Sequence, residues 1–255
     1  MKQPYFEQLS TTGVRAAEAA GEILHSASRH NLAVLKDSAR DIKSEADIKS
    51  NQVICSILLE TGIPIISEES ENSLNPLEQE LVWIVDPLDG TVNFVKEAPL
   101  CCTSIGLWGH GNPILGVIHD FNTKETIWGG PQFGSFLDKA QLAVSSNQKP
   151  ENSIIATGFP NGRSFTSNDL LEFVSKVQIF KKVRLLGSAA LSLAWIAQGR
   201  YDAYMEEDIY LWDVAAGLPL ILGAGGFAKW SKIDLTTMKL TVAAASTETL
   251  LNKLL

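Results

Sequence analysis

Leu81-Val-Trp-Ile-Val-Asp-Pro-Leu-Asp-Gly-Thr-Val-Asn-Phe94 is the stretch on which the reading of the chain turns. Leu81 to Val85 is a short apolar run and predicts a buried strand. Pro87 has no N–H to give to a ladder, so the strand is expected to end at Asp86-Pro87. Asp89-Gly90-Thr91 is a sharp turn able to open a helix. Two carboxylates, Asp86 and Asp89, then stand at the carboxyl end of a strand. The N–H groups of Gly90 and Thr91 follow them and are free to face an anion. Carboxylates that suit hard cations, beside amides that suit phosphate oxygens, make a sensible phosphate-processing site. Asp-Pro and Asp-Gly are also ordinary turn dipeptides, so taken alone Asp86 and Asp89 read equally as turn residues.

Upstream, Leu9, Val14, Ala17, Ala20, Ile23 and Leu24 recur at helical spacing and predict a helix from Phe6 to about Arg29. His25 and His30, near its end, read as surface residues complementing the helix dipole. Leu32 to Lys36 reads as a short strand, with Lys36 on the surface. Ser44 is placed to cap a second helix, and Asp47 three positions on resembles the acid of a capping box. That helix is expected to end near Gly62. Pro64 to Ile66 is a strand running into Glu68-Glu69, a second acidic pair at a strand's carboxyl end, where ligand sites of α/β sheets collect. Glu71 reads as part of an exposed loop.

Downstream, Cys101–Leu107 and Ile114–His119 predict a hairpin around Gly109-His-Gly-Asn112. Thr126–Trp128, Ser135–Leu137 and Leu142–Val144 are further short strands, paired antiparallel because no helix intervenes. The polar stretch Ser145–Asn152 marks a boundary between two halves. Beyond it strands and helices alternate. Ile154–Thr157, Lys182–Leu185 and Tyr201–Met205 are strands. A helix over Leu170–Val177 is expected to be capped by Ser167 or Asn168, and another opens at Gly187-Ser188 and stops at Gly199. Glu206, Glu207 and Asp208 are expected to follow the third strand. Leu211–Leu222 is a nearly all-apolar run that predicts one buried helix. Asp213 in its first turn is costly to bury unless it caps the helix or holds a cation, and the flanking Leu211 and Trp212 favour the cation. Phe227–Trp230 and Leu240–Ala244 are strands, and Ser246 is expected to cap a last helix running to Leu255.

The chain has 255 residues, 45% of them apolar and 20% charged, in the range of a globular protein with a large core. A formal net charge of −8 argues against general binding to nucleic acid or to a membrane surface. It is compatible with an anionic substrate held through cations. No apolar run reaches the roughly 18 residues of a membrane span, and the N-terminus has no signal-peptide core. Cys55, Cys101 and Cys102 are an odd set without metal-ligand spacing and read as reduced packing residues of a cytoplasmic protein.

Trp83-Ile-Val-Asp-Pro-Leu-Asp-Gly-Thr-Val-Asn-Phe94 resembles the first motif of the inositol monophosphatase family, and Trp212-Asp-Val-Ala-Ala-Gly217 resembles its second. Glu68-Glu69, Asp41…Ser44…Asp47 and Gly187-Ser-Ala-Ala-Leu191 match further elements in family order. The resemblance implies a layered α-β-α-β-α sandwich of the inositol monophosphatase and fructose-1,6-bisphosphatase type. It implies one domain over 1–255, with a metal and phosphate half (about 1–147) and an α/β half (about 148–255). It also implies a cytoplasmic homodimer, inhibited by Li⁺, that hydrolyses a small phosphate monoester with Mg²⁺.

Carried onto this chain, Glu68, Asp86 and the Leu88 carbonyl would hold one ion, and Asp86, Asp89 and Asp213 a second. Glu68 would help hold a third. Thr91, oriented by Asp47, would act with Glu68 on the attacking water. Gly90 and Thr91 would receive the phosphate. Asp89, Gly187, Ala189 and Glu206 would line the substrate, and the carboxylate of Glu206 tilts the choice towards inositol or a related polyol or sugar phosphate. Alternatives are a 3′(2′),5′-bisphosphate nucleotidase, a histidinol-phosphate phosphatase, or a non-catalytic regulatory protein that kept the fold. Lys43-Ser44, Lys96-Glu97 and the short region after Gly226 depart from the family pattern.

Overall fold

The computed structural model describes residues 1–27, 34–38, 41–70, 74–159 and 166–255, with the side chains of 34–44 excepted. The elements in order are α1 (Gln3–Ser26), β1 (Val34–Ser38), β2 (Asp41–Ser44), α2 (Glu45–Leu58), β3 (Ile65–Ser67), β4 (Val82–Asp89) and α3 (Thr91–Val95). They continue with β5 (Cys102–Gly109), β6 (Asn112–Asp120), β7 (Glu125–Gly130), β8 (Gly134–Leu137), β9 (Ala140–Gln141), β10 (Ile154–Thr157), α4 (Ser167–Val177) and β11 (Lys182–Arg184). The last are α5 (Ala189–Ala197), β12 (Ala203–Tyr210), α6 (Leu211–Val214), α7 (Gly217–Gly223), β13 (Phe227–Trp230), β14 (Lys239–Ala245) and α8 (Glu248–Leu251).

A seven-stranded sheet runs in the order β3 to β9, and a five-stranded sheet in the order β11-β10-β12-β14-β13. In the first only β3 and β4 are parallel. In the second β10 is parallel to both β11 and β12, while β14 runs antiparallel to β12 and β13.

Side-chain alternation along the strands builds the layers. Trp83, Val85, Ile105, Leu107 and Val117 face outward and pack against α1 and α2. Val82, Ile84, Trp108 and Ile118 face inward and join a core made with α5, α7 and the inner faces of β12 and β14. On the far side Ile155, Ala203, Met205, Ala243 and Ala245 pack against Val177 of α4 and Leu250 and Leu251 of α8. The result is helix, sheet, helix, sheet, helix, the five-layer sandwich expected. Leu and Ile burial on both faces of each sheet supplies the main driving force, at roughly 1.5–3 kcal/mol per large side chain.

Several expectations are corrected. The strand does not stop at Asp86. It runs on to Asp89, because Pro87 and Leu88 fall in a bulge: Asp86 pairs with Ser104 and Asp89 with Cys102, so three steps on β4 oppose two on β5. A bulge is where a strand tolerates a proline. The acids Glu206 and Glu207 lie inside β12, which also passes a bulge, at Glu206–Ile209 with Asp208 at φ 54°. The apolar run from Leu211 is not one helix; it breaks between Val214 and Gly217 into α6 and α7. Leu142–Val144 is not a strand, and the short β9 precedes it.

Thr166, not Ser167 or Asn168, caps α4, through a capping box with Asp169. Thr247, not Ser246, caps α8, which ends at Leu251. The first helix ends at Ser26, short of Arg29. His30, Leu32 and Glu71 lie outside the described residues, as do the side chains of Lys36, Asp41, Lys43 and Ser44. The three cysteines are free, and Cys101 and Cys102 are buried as packing residues.

The broken helix has a cause on the sheet beneath it. A Cβ on Gly106 of β5 would come within 2.5 Å of the Ala215 carbonyl oxygen, so this strand position must be glycine for the α6–α7 backbone to sit so close. Two side chains of the same strand take up carbonyls at the break. Trp108 donates Nε1–H to Ala215 O at 2.9 Å, and Ser104 donates Oγ–H to Trp212 O at 3.4 Å. These bonds satisfy carbonyls that a one-turn helix leaves open.

Candidate functional site

In a regular strand, residues three apart face opposite sides of the sheet. The bulge in β4 adds one residue, so Asp86 and Asp89 come round to the same side. One-turn helix α6 brings Asp213 in from above. An oxygen from each of the three aspartates lies within 4.8 Å of the others. Asp86 and Asp89 are 2% and 6% exposed.

The cluster forms part of a cleft of about 320 Å³. Glu68, just past β3, lines it, as do Leu88, Gly90 and Thr91 from the turn after the bulge. Gly187, Ala189 and Glu206 come from the side of the five-stranded sheet. The residues given a role at the site all line this cleft except Asp47, while Glu69, the second acid of the Glu68-Glu69 pair, does not line it. Asp47 is 2% exposed and stands behind the cleft, where Thr91 Oγ1 lies 3.1 Å from its Oδ1. Thr91 Oγ1 is also 3.0 Å from the Leu88 carbonyl oxygen, and its one hydrogen can serve only one of the two at a time. Leu88 N–H donates to Asp86 Oδ1 at 3.0 Å, which fixes the bulge. Gly90, in the left-handed region at φ 88°, stands at the N-cap position just before helix α3, which carries no side-chain cap.

Each acid has its own surroundings. Asp89 Oδ2 accepts from Ser188 Oγ at 2.6 Å and from the Ala190 amide at 2.7 Å, both at the start of α5. Burial pushes its carboxyl up to about 6, while these donors hold it down against a larger rise. Asp86 is raised well above the usual carboxylate range, by burial first and then by the charges of Glu68, Asp89 and Asp213. Asp213 is raised well above it too, by burial and by Asp89, Glu68 and Glu206. Glu206 is pushed up to about 7, chiefly by burial, against a lowering bond from Tyr204. The Tyr204 hydroxyl donates to its Oε2 at 2.7 Å.

Among the described residues no lysine or arginine lines the cleft. Neighbouring acids that lift the carboxyls of Asp86 and Asp213, with oxygen ligands only, form a site that a hard cation would complete. Among the described residues the cluster is made of carboxylates alone, without the nitrogen and sulfur ligands suited to zinc. The donor set therefore fits a metal ion of the Mg²⁺ type.

Sequence reasoning did not find what the side chains of Ser188, Tyr204 and Asn93 do in the cleft. Ser188 was visible as a helix cap but not as a partner of Asp89. Tyr204 looked like a core residue of a strand. Asn93 belongs to the first motif, yet nothing in its spacing shows that its Nδ2 meets the carbonyl oxygens of Leu100 at 2.7 Å and Leu186 at 2.8 Å.

The chain matches the model of the inositol monophosphatase family over residues 6–255. It is 37% identical over 200 residues to an inositol-1-monophosphatase of Mesorhizobium japonicum, covering 77% of this chain and 75% of that protein. It is 34% identical over 219 residues to the Nus factor SuhB of Xylella fastidiosa, covering 84% and 78%. Among solved structures, the extragenic suppressor protein suhB from Bartonella henselae superposes with a TM-score of 0.84 at 31% identity, over 96% of this chain and 95% of that one. Inositol monophosphatase from Anabaena gives 0.82 at 30% identity, over 98% and 94%. The two motifs, the five-layer sandwich and the acid cluster between its sheets agree with these matches: the chain belongs to the inositol monophosphatase family, a family of metal-dependent phosphatases.

Proposed function

We propose that this chain hydrolyses a small phosphate monoester with Mg²⁺, with inositol monophosphate or a related polyol or sugar phosphate as its substrate. The observation that carries the reading is the meeting of Asp86, Asp89 and Asp213 within 4.8 Å, without a lysine or arginine among the described lining residues. Glu68, Asp86 and the Leu88 carbonyl would hold one ion, and Asp86, Asp89 and Asp213 the second. When bound, such ions neutralise the phosphate and lower the pKa of coordinated water.

The chain's own groups do the rest. Glu68 accepts a proton from the attacking water, and Thr91 orients that water while its own hydroxyl is held by Asp47. The amides of Gly90 and Thr91, at the uncapped start of α3, receive phosphate oxygens. Gly187 and Ala189 line the organic part of the substrate. Glu206, pinned through one oxygen by Tyr204, offers the other to a hydroxyl group. A carboxylate in that place suits a polyol better than a second phosphate. Five acids line the cleft with no lysine or arginine among the described residues, which is costly to keep for structure alone and favours turnover over a purely regulatory role.

The same reading takes the chain as one domain and as a cytoplasmic homodimer. It also takes Li⁺ as an inhibitor whose effect grows with substrate concentration. The test is release of phosphate from a panel of esters, with Mg²⁺ and with EDTA. Mg²⁺-dependent turnover that is highest on inositol or polyol monophosphates supports the reading. No turnover on any ester, by folded protein, overturns it.

A further inference from the structure

Asn93 sits in α3 on the side of the seven-stranded sheet, and its amide nitrogen reaches three backbone carbonyls. Leu100 O lies at 2.7 Å, Leu186 O at 2.8 Å and Gly187 O at 3.3 Å. The Nδ2 group has two hydrogens. The two short contacts use both, one on each side of the cleft. The first ties Asn93 to the segment leading into β5. The second ties it to the turn leading into α5, where Gly187 is in the left-handed region at φ 70°. A Cβ on Gly187 would stand 3.1 Å from Asn93 Nδ2, so the turn closes on the amide itself.

The residues just after that turn are the ones that reach Asp89. Ser188 caps α5 by accepting from the Leu191 amide at 3.2 Å, and it donates to Asp89 Oδ2 at 2.6 Å. The Ala190 amide, one of the open donors in the first turn of α5, also points at Asp89 Oδ2, at 2.7 Å. Asp89 thus acts as a cap for a helix nearly a hundred positions away in sequence. Both donors hold the same oxygen, Oδ2, and so fix how the carboxylate is turned. A sliding α5 would release Asp89 and change its orientation. To the apolar packing of α5 the Leu186 carbonyl, clasped from the other sheet, adds a polar tie at the entry to the helix.

We propose that Asn93 is a positioning residue that clasps the Leu186–Gly187 turn to the first motif and so holds Ser188 and Ala190 on Asp89. It touches no reacting atom in this role. Its effect on a bound cation rests on the proposed function, in which Asp89 is a ligand; its effect on Ala190 does not.

Two variants separate hydrogen bonding from space filling. Asn93→Asp keeps the shape but turns an oxygen towards carbonyls that need a donor, and Asn93→Ala removes the group. Backbone amide exchange is followed in Mg²⁺-free protein, with Ile118 in the middle of β6 as the control. The Ala190 amide should exchange about tenfold faster in both variants, the equivalent of about 1.4 kcal/mol, while Ile118 is unchanged. Calorimetric titration with Mg²⁺ alone should show about tenfold weaker binding. Adding Ser188→Ala to either variant should weaken binding by much less than Ser188→Ala does in the native chain, because both act through Asp89.

Ala190 exchange and Mg²⁺ affinity within twofold of the native values would overturn the proposal, as would independent, multiplying effects of the two substitutions. If the native protein binds no Mg²⁺, the proposed cation site fails, and Ala190 exchange alone decides the role of Asn93. Should both variants fail to fold, the native protein still decides. The Asn93 side-chain N–H protons should be protected from exchange, and exchange at the free-amide rate overturns the clasp.

Discussion

Asp89, buried, and Glu206, half-buried, line the same cleft, yet they are held in different ways. Asp89 stands at the end of a bulged strand and receives a hydroxyl and an amide from the start of α5. Glu206 lies on the other sheet and receives one phenol, that of Tyr204. A carboxylate that accepts several donors can stay charged when desolvated, and its carboxyl is raised only to about 6. With one donor, the other is raised to about 7. The contrast shows how one residue type is assigned two kinds of work by its neighbours. Beside other acids and braced by a helix start, it suits a cation. Alone beside a phenol, it suits a neutral hydroxyl.

The comparison breaks most sharply at the cation end. Asp89→Asn or Asp213→Asn should reduce kcat by about 10³-fold or more, since each removes a charge that the cation needs. Phosphate-release rates at saturating Mg²⁺ check this, and near-native rates in either variant would remove those residues from the site. Glu68→Gln should lower kcat by about 10²- to 10⁴-fold, the range for a lost general base, with KM little changed. A raised KM at native kcat would move Glu68 to the binding side. At the other end Glu206→Gln should raise KM for a polyol phosphate by about tenfold, as expected for one hydrogen bond to a charged group. The rise should be smaller on an ester without hydroxyl groups, and an equal rise on both would deny Glu206 its proposed partner.

The smallest effect is on stability, and its sign follows from the raised carboxyls. Asp89 rises from an ordinary 3.8 to about 6 and Glu206 from 4.5 to about 7. A group raised on folding adds stability below its unfolded value and loses it as pH climbs through the folded value. Without metal, these acids should therefore cost the protein stability as pH rises from about 4 to 7. Asp213 is one of the charges that lift Asp86. Asp213→Asn should accordingly gain on the native chain across that window in EDTA, by a few degrees in Tm, and lose the advantage when Mg²⁺ is added. Melting curves at pH 4 and pH 7 decide it.

Much of the cation end was legible because it is local. Asp86, Asp89, Gly90 and Thr91 fall within six positions, and the apolar run before them marks the strand. Asp213 stood out because a charge in an apolar run needs a partner. What stayed hidden depends on contacts between distant segments. Pro87 argued for a strand end, but pairing of Asp89 with Cys102 carried the ladder past it. Leu211 to Leu222 has the composition of one helix, and only the closeness of Gly106, Ser104 and Trp108 shows why it breaks. Ser167 and Ser246 were reasonable caps by residue type, but Thr166 and Thr247, one position away on either side, hold the extended backbone that a cap requires. Asn93 and Tyr204 could not be singled out, since a donor's worth lies in acceptors that the sequence does not order.

The break between α6 and α7 has a consequence for how the chain folds. Asp213 rides on a helix of one turn, too short to persist by itself. Its carbonyls are taken up by Ser104 and Trp108, over a hundred positions earlier. Closing a loop of that length is an entropic cost met only when the two sheets come together. Before then Asp213 is far from Asp86 and Asp89, and their mutual repulsion is not felt. The electrostatic penalty of the site is thus deferred to the docking of the two halves of the sandwich. Strands of the seven-stranded sheet can pair with their acids still hydrated, and the full cost of the site arises only when α6 docks on β5.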